Sequence, residues 1–190
     1  MLIFDEVYYV NAARVIAGIH PPAGSNYADS PLGVDPNAEH PQLAKLIMAG
    51  SIEALGDNPW AWRLPSVLVG TLALLGMFAL VHAARGSPWL AVGATALMAT
   101  DNLLLVHSRI GTLDVYAVAA MLWGTVAYLR GRPLLAGAII GLGLCAKEVA
   151  AEVLLVVALL EVLRLPGLAG GGWPRLRRLL LCGGACAAVF

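Results

Sequence analysis

Leu64–Ala84 is a run of 21 residues without one formal charge. As a helix rising about 1.5 Å per residue it would be about 31 Å long, enough to cross a bilayer core of roughly 30 Å. Comparable apolar runs recur along the rest of the chain, which a removable signal peptide would not explain. The bulk numbers agree: 59% of residues are apolar, 13% are charged and the mean hydropathy is +0.79. The expected fold is therefore all-α, a polytopic transmembrane helical bundle.

The net charge is zero, but its distribution is uneven. The short connections at 85–88, 130–133 and 164–178 carry Arg85, Arg130, Arg132, Arg164, Arg175, Arg177 and Arg178, and no acid. Residues 1–63 carry Asp5, Glu6, Asp29, Asp35, Glu39, Glu53 and Asp57 against Arg14, Lys45 and Arg63. The positive-inside rule puts the arginine turns in the cytoplasm. The first 63 residues, the 107–114 corner and the region near Lys147 then share the outer face, plausibly of the plasma membrane.

Within 1–63, Phe4, Val7, Tyr8, Asn11 and Val15 fall at helical spacing and predict a short helix at the membrane surface, stopped by Gly18. Residues 20–41 are dense in Pro, Gly, Asp, Asn and Ser and read as a loop. A second interfacial helix is bounded by Pro41 and Gly56, and Trp60 and Trp62 suit the headgroup level. The expected division is an extracytoplasmic loop with interfacial helices and an acidic motif over 1–63, then transmembrane helices over 64–190. These helices are expected at about 64–84, 89–107, 110–129, 134–146 and 149–163, with 179–190 unfinished. The stretch 134–163 is too long for one simple span and reads as a hairpin turning near Lys147, with Gly137, Gly141 and Gly143 permitting close packing. A Gly-rich turn over 166–174 and the basic "RLRR" come before the last run. An outer segment of 63 residues normally follows a membrane helix, so the chain is expected to be a fragment. Cys145, Cys182 and Cys186 are expected as small packing residues.

The corner "VHSRIGTLDV" sets Arg109 and Asp114, with His107 close by, between two apolar runs. Charges at such depth cost roughly 2.5–3.5 kcal/mol on insertion scales, so they face a bundle interior, a watery cavity or each other. Arg109 and Asp114 either neutralise one another or serve a ligand. On a continuous helix Asn102 would share a face with Arg109 and extend the polar stripe outward. An anionic lipid headgroup would place its phosphate beside the planar fork of Arg109. Asp5 or Glu6 could then act as general base on an incoming hydroxyl, and only one of these neighbours can aim at the reacting centre. The other would bind a metal, a second substrate or the backbone; alternatively the pair is only a helix cap. His107 contacts phosphate or merely reaches the interface. Lys147 and Glu148 either pair at the hairpin tip or extend the phosphate site.

"FDEVYYVNAARV", "HPQLAKLI", "WRLPSVLVGTL" and "DNLLLVHSRIGTLD" occur in the order and spacing of the family 39 glycosyltransferases. The chain resembles these protein O-mannosyltransferase-like enzymes over about residues 3–163. The resemblance implies a multi-spanning membrane fold and an Asp-Glu pair at the reaction centre in the first outer loop. It also implies a polyprenyl-phosphate sugar donor used from the extracytoplasmic side, with inversion at the anomeric carbon. Carried over by motif, Asp5 is the expected catalytic carboxylate, Glu6 its companion and Arg109 the holder of the lipid phosphate. His40 and Lys45 match the family's "HPP-L-GK" element and are expected at the donor phosphate, although Gln42 and Ala44 depart from it. Asp114 is expected to support Arg109, with Asn102, His107 and Lys147 as further supporting residues.

The expected function is thus transfer of a sugar, plausibly mannose, from a polyprenyl phosphate to an acceptor hydroxyl on a protein or a lipid. A lipid-modifying sugar transferase of the same superfamily is one alternative. A transporter or flippase lined by Arg109, Asp114 and Lys147 is another, although one-sided charge and the absence of an internal repeat favour an enzyme. Membrane lipids are expected partners and nucleic acid is not; with no nucleotide-binding glycine loop, a nucleotide sugar is not the expected donor. No cofactor is required by these motifs, and a divalent cation beside the acids is left open.

Overall fold

The computed structural model describes residues 2–163 and 172–190, and among them there are helices and no strand. In chain order these are α1 (Glu6–Ile16), α2 (Leu43–Leu55), α3 (Pro59–Ala83), α4 (Pro88–Thr100), α5 (Asn102–His107), α6 (Asp114–Leu129), α7 (Pro133–Ala146), α8 (Glu152–Leu163) and α9 (Gly172–Val189). A 3-10 turn, Glu148–Ala151, leads into α8. Arg164 and most of the expected Gly-rich turn at 166–174 lie outside the described residues.

Among the described residues α3 is the one helix long and apolar enough to cross a membrane; α4, α6 and α7 are apolar but shorter. It starts five residues before the expected position, because Asn58 and Pro59 form a strong start signal. The Asn58 side chain accepts the N–H groups of Trp60 (3.0 Å) and Ala61 (3.2 Å), and Pro59 takes the first helical position, where no N–H is needed. Pro65 lies inside the helix and cannot donate to the Ala61 carbonyl. Ser51 on α2 takes that acceptor instead, its hydroxyl donating to Ala61 O at 2.7 Å.

Two expected elements change shape. The stretch 89–107 is not one helix: Asp101 adopts an extended backbone (φ −65°, ψ 123°) and its carboxylate accepts the Leu104 N–H at 2.8 Å, starting α5 afresh. An aspartate is a good N-cap and a poor helix interior, so local capping overrides the apolar run. Arg109 falls beyond the end of α5, and the single-helix stripe from Asn102 to Arg109 does not form. At the other end α9 begins at Gly172 rather than 179, so Arg175, Arg177 and Arg178 are helical, in keeping with the good helix propensity of Leu and Arg.

Packing forms two apolar clusters. One joins α1, α2 and the starts of α3 and α6 around Val10, Met48, Ile52, Trp62 and Leu113. The other joins α6, α7, α8 and α9 around Tyr128, Ile140, Val157, Cys182 and Cys186. The expected glycine packing is present: a Cβ at Gly141 would lie 2.8 Å from the Cys186 carbonyl oxygen, and Gly137 faces Cys182 in the same way. α1 keeps Tyr8 exposed and packs its other face into the bundle. Tyr9, Val10, Ala12, Ala13 and Val15 are buried, and so are Glu6, Asn11 and Arg14. The Arg14 Nε donates to both Asp57 oxygens at 3.0 Å, its Nη1 donates to Asn11 at 2.8 Å, and its guanidinium lies 4.6 Å over the Trp62 ring. Trp62 in turn donates to Asp57 at 2.6 Å and is buried, whereas Trp60 is 81% exposed. Of these two tryptophans, Trp60 is the one free to meet a headgroup layer.

The helices run back and forth, so their connections gather at two ends. Arg85, Arg130 and Arg132 occupy the turns at one end. There Arg178 pairs with Glu161 at 3.4 Å and donates to the Tyr128 carbonyl at 2.8 Å, and Tyr128 donates its hydroxyl to Glu161 at 2.8 Å. At the opposite end α1, the 35–42 loop, the α5–α6 corner and the hairpin tip at Lys147 meet.

Candidate functional site

Glu6 is fully buried and joins the amino-terminal motif to the distant corner. Its Oε1 accepts the Gly111 N–H at 2.8 Å and Arg63 Nε at 2.8 Å; its Oε2 accepts Arg63 Nη2 at 2.7 Å and the Ile3 N–H at 3.0 Å. Burial alone would raise this carboxyl. Hydrogen bonds from Arg63, the Gly111 N–H and the Ile3 N–H, with the Arg63 charge, together hold it below the usual carboxylate range. Glu6 therefore stays ionised with its oxygens occupied by Arg63 and two backbone N–H groups; of the metal, second substrate or backbone expected for this acid, it meets the backbone. Asp5 differs. It precedes α1, is half-buried, and its carboxylate has no hydrogen-bond or ion-pair partner among the described residues.

The corner is held by Asp114, in the first turn of α6, where the helix dipole favours an anion. Lys147 donates to its Oδ1 at 2.5 Å, and His107 Nδ1 lies 3.3 Å from its Oδ2 and 3.2 Å from the Thr112 hydroxyl. The expected Arg109–Asp114 pairing is replaced by this one, because Arg109 sits outside α5 while Asp114 turns toward the hairpin tip. Arg109 is exposed and has no ion-pair partner among the described residues. It lines a small cleft of about 130 Å³ with Ser108 and with Val67, Gly70 and Thr71 of α3. Asn102 is exposed in the first turn of α5.

The hairpin tip reaches two partners. Lys147 pairs with Asp114, as above, and Glu148 Oε2 lies 3.1 Å from His40 Nδ1. The two tip residues thus do not satisfy each other. Burial opposes ionisation of Glu148, but its own backbone N–H, His40 and the Lys147 charge hold its carboxyl below the usual range. His40 also stacks obliquely near Tyr9, with ring centres 6.0 Å apart, and Phe4 meets His107 edge-on at 6.1 Å. Lys45, expected at a donor phosphate, is instead wholly buried. Its ammonium pairs with Asp35 at 2.5 Å and donates to the Asn37 carbonyl and, at 2.9 Å, to the His40 carbonyl. It braces the loop that carries His40. His20 is a loop residue, 3.3 Å from the Ala28 carbonyl.

Beside the corner lies a cavity of about 470 Å³. Met77, Met98, Leu103, Val118 and Met121 make apolar walls, and Asp101, His107 and Asp114 supply its polar lining. Among the described residues no cluster of three or more His, Cys, Asp or Glu side chains is arranged to hold a metal ion.

Two contributors escaped sequence reading. Arg63 and Gly111 act on Glu6 from 57 and 105 residues away, and nothing local announces that. Tyr9 stands one turn above Asp5, its N–H donating to the Asp5 carbonyl.

Residues 39–189 match the family model described as dolichyl-phosphate-mannose-protein mannosyltransferase. That match includes His40, the corner and the hairpin tip and excludes Asp5 and Glu6. A polyprenol-phosphate-mannose–protein mannosyltransferase of Corynebacterium glutamicum is 33% identical over 118 residues. The alignment covers 61% of this chain and 22% of that relative, so the chain spans only a minor part of the relative's length. No solved structure matches.

Proposed function

From the premise that this chain belongs to the dolichyl-phosphate-mannose-protein mannosyltransferase family, we propose that it acts in a polytopic membrane enzyme that moves mannose from a polyprenyl phosphate to an acceptor hydroxyl. The observation that carries this reading is the convergence of four sequence-distant segments on one end of the bundle. Glu6 is bonded to Gly111, Asp114 to Lys147, and His40 to Glu148. A structural subunit would not need an unpaired carboxylate and an unpaired guanidinium at the same end.

In this reading residues 1–63 lie outside the membrane, with α3 and the later apolar helices crossing it. The exposed Leu68, Leu72, Leu75, Leu97, Leu155 and Leu159 then face lipid rather than water. The arginine-bearing end is cytoplasmic and the acidic end extracytoplasmic. The polyprenyl chain occupies the apolar cavity beside α5 and α6, and its phosphate meets Arg109 and Lys147, with His107 and His40 as auxiliary contacts. Asp5 takes the proton of the acceptor hydroxyl as its oxygen attacks the anomeric carbon. The bond from that carbon to the phosphate oxygen breaks, and the electron pair leaves on the phosphate, whose growing charge Arg109 and Lys147 stabilise. Attack opposite the leaving group inverts the centre. A protein acceptor accords with the Corynebacterium relative being a protein mannosyltransferase.

The test is transfer of mannose in vitro by the full-length protein. Asp5→Asn and Arg109→Ala are each expected to reduce turnover at least a hundredfold, the scale of a lost general base or charge stabiliser. Wild-type turnover in both variants overturns the mechanism.

A further inference from the structure

The carboxylate of Asp114 serves two side chains at once: Oδ1 accepts from Lys147, and Oδ2 lies 3.3 Å from His107 Nδ1. The Thr112 hydroxyl, 3.2 Å from the same nitrogen, and Phe4, edge-on to the ring, fix the imidazole from two further sides. A carboxylate behind one ring nitrogen keeps a proton there and leaves the other nitrogen to act. Here the other is Nε2. It has no hydrogen-bond partner among the described residues, and the His107 side chain, 14% exposed, helps line the cavity of about 470 Å³ beside the corner. Charged groups face this ring from the elements around it. Asp114 approaches from α6 with Lys147 of the hairpin tip behind it, Asp101 at the start of α5 lines the same cavity, and Phe4 brings its neighbour Asp5. When His107 gives up a proton, Asp114 keeps Lys147 as its counter-charge.

We propose that His107 is the general acid of the transfer, giving its Nε2 proton to the departing polyprenyl phosphate. This rests on the donor reading above and deepens it. The acceptor oxygen bonds the anomeric carbon and its proton goes to Asp5. As the bond from that carbon to the phosphate oxygen breaks, the electron pair stays on the oxygen and the Nε2 proton moves to the phosphate. The lipid leaves as its hydrogen phosphate, and the neutral imidazole keeps Nδ1–H toward Asp114. Exchange with water then returns one proton to His107 and removes one from Asp5. A phosphate monoester and an imidazole take up protons in the same pH region, so this transfer is close to balanced. Arg109 complements it, since a guanidinium lends charge and does not give up a proton.

The experiment measures mannose transfer from polyprenyl-phosphate mannose by the full-length protein across pH. Wild-type kcat is expected to fall as pH rises and the imidazole loses its proton. His107→Gln keeps a hydrogen-bond donor but has no proton to give. It is expected to lower kcat about a hundredfold, to leave donor KM nearly unchanged and to lose the alkaline fall. A merely structural histidine would not move that limb of the profile. Wild-type turnover in His107→Gln, or a variant that keeps the alkaline fall, overturns the assignment. So does a rise in KM alone, which would leave His107 a phosphate contact only. The wild-type curve is a second measurement that no misfolded variant can obscure: a kcat that stays flat as pH rises also overturns the assignment. Full activity in Asp5→Asn would instead bring down the underlying donor reading, so the two failures are distinguishable.

Discussion

Glu6 and Gly111 stand 105 residues apart in the chain and 2.8 Å apart in space, one carboxylate oxygen against one backbone N–H. With Arg63 on the same carboxylate, this bond fixes the start of α1 against the α5–α6 corner. Asp5 is thereby held at the corner by its neighbour.

Glu6→Gln is expected to lower stability by about 3–5 kcal/mol, the cost of removing one member of a buried pair, read as a fall in the melting temperature of the purified protein. The wild type should also lose stability on acidification. A carboxyl held below its usual range contributes fully above the unfolded value and ceases to contribute as pH falls through the folded one. The variant's melting temperature should be flatter across that acidic window. A wild-type profile no steeper than the variant's refutes this role.

Asp114→Asn and Lys147→Met remove opposite halves of one ion pair and should differ in consequence. Lys147→Met takes away positive charge proposed for the phosphate, so donor KM should rise at least tenfold, a charge-assisted contact being worth about 1.5–3 kcal/mol. Asp114→Asn leaves that ammonium present but unrestrained, and kcat should fall more than KM rises. Steady-state kinetics with the full-length protein separate the two.

Lys45→Met should behave as a loop mutation rather than a binding mutation. It strands the buried Asp35 carboxylate, with an expected loss of about 3–5 kcal/mol. Inhibition by sugar-free polyprenyl phosphate, measured on the fraction that remains folded, should match wild type. A selective loss of lipid affinity with normal stability would restore the headgroup role.

Gly141→Val should part α7 from α9, because its side chain would enter the space held by the Cys186 carbonyl and Val189. Overpacking of this kind typically costs about 1–3 kcal/mol. Crosslinking of cysteines engineered across the two helices would report the separation, and unchanged crosslinking rules it out.

Much of the helical zigzag was legible in the chain because apolar runs alternate with Arg-Gly turns that end in proline, at 85–88 and 130–133. α7 and the break at Lys147 lie where the apolar pattern puts them. The break at Asp101 was not, since it depends on one side chain preferring to cap a helix over lying inside one. Motif order brought out Asp5, His40, Arg109 and Asp114 as candidates, and the charged hairpin tip Lys147, but neither told who pairs with whom. Arg109 loses Asp114 to Lys147, and Lys45 is drawn inward to Asp35. Those choices are made by tertiary packing, which brings partners together across 33 residues for the first pair and around a tight loop for the second.

Pro65 and Ser51 amount to one device divided between two helices. A carbonyl oxygen accepts two hydrogen bonds, so restoring an N–H at position 65 would leave room for the serine and make its hydroxyl dispensable. Removing the hydroxyl alone would leave the carbonyl orphaned beside a proline. Loss of the serine is therefore penalised only while position 65 is proline, and the order in which the two can change is fixed: proline first, serine after.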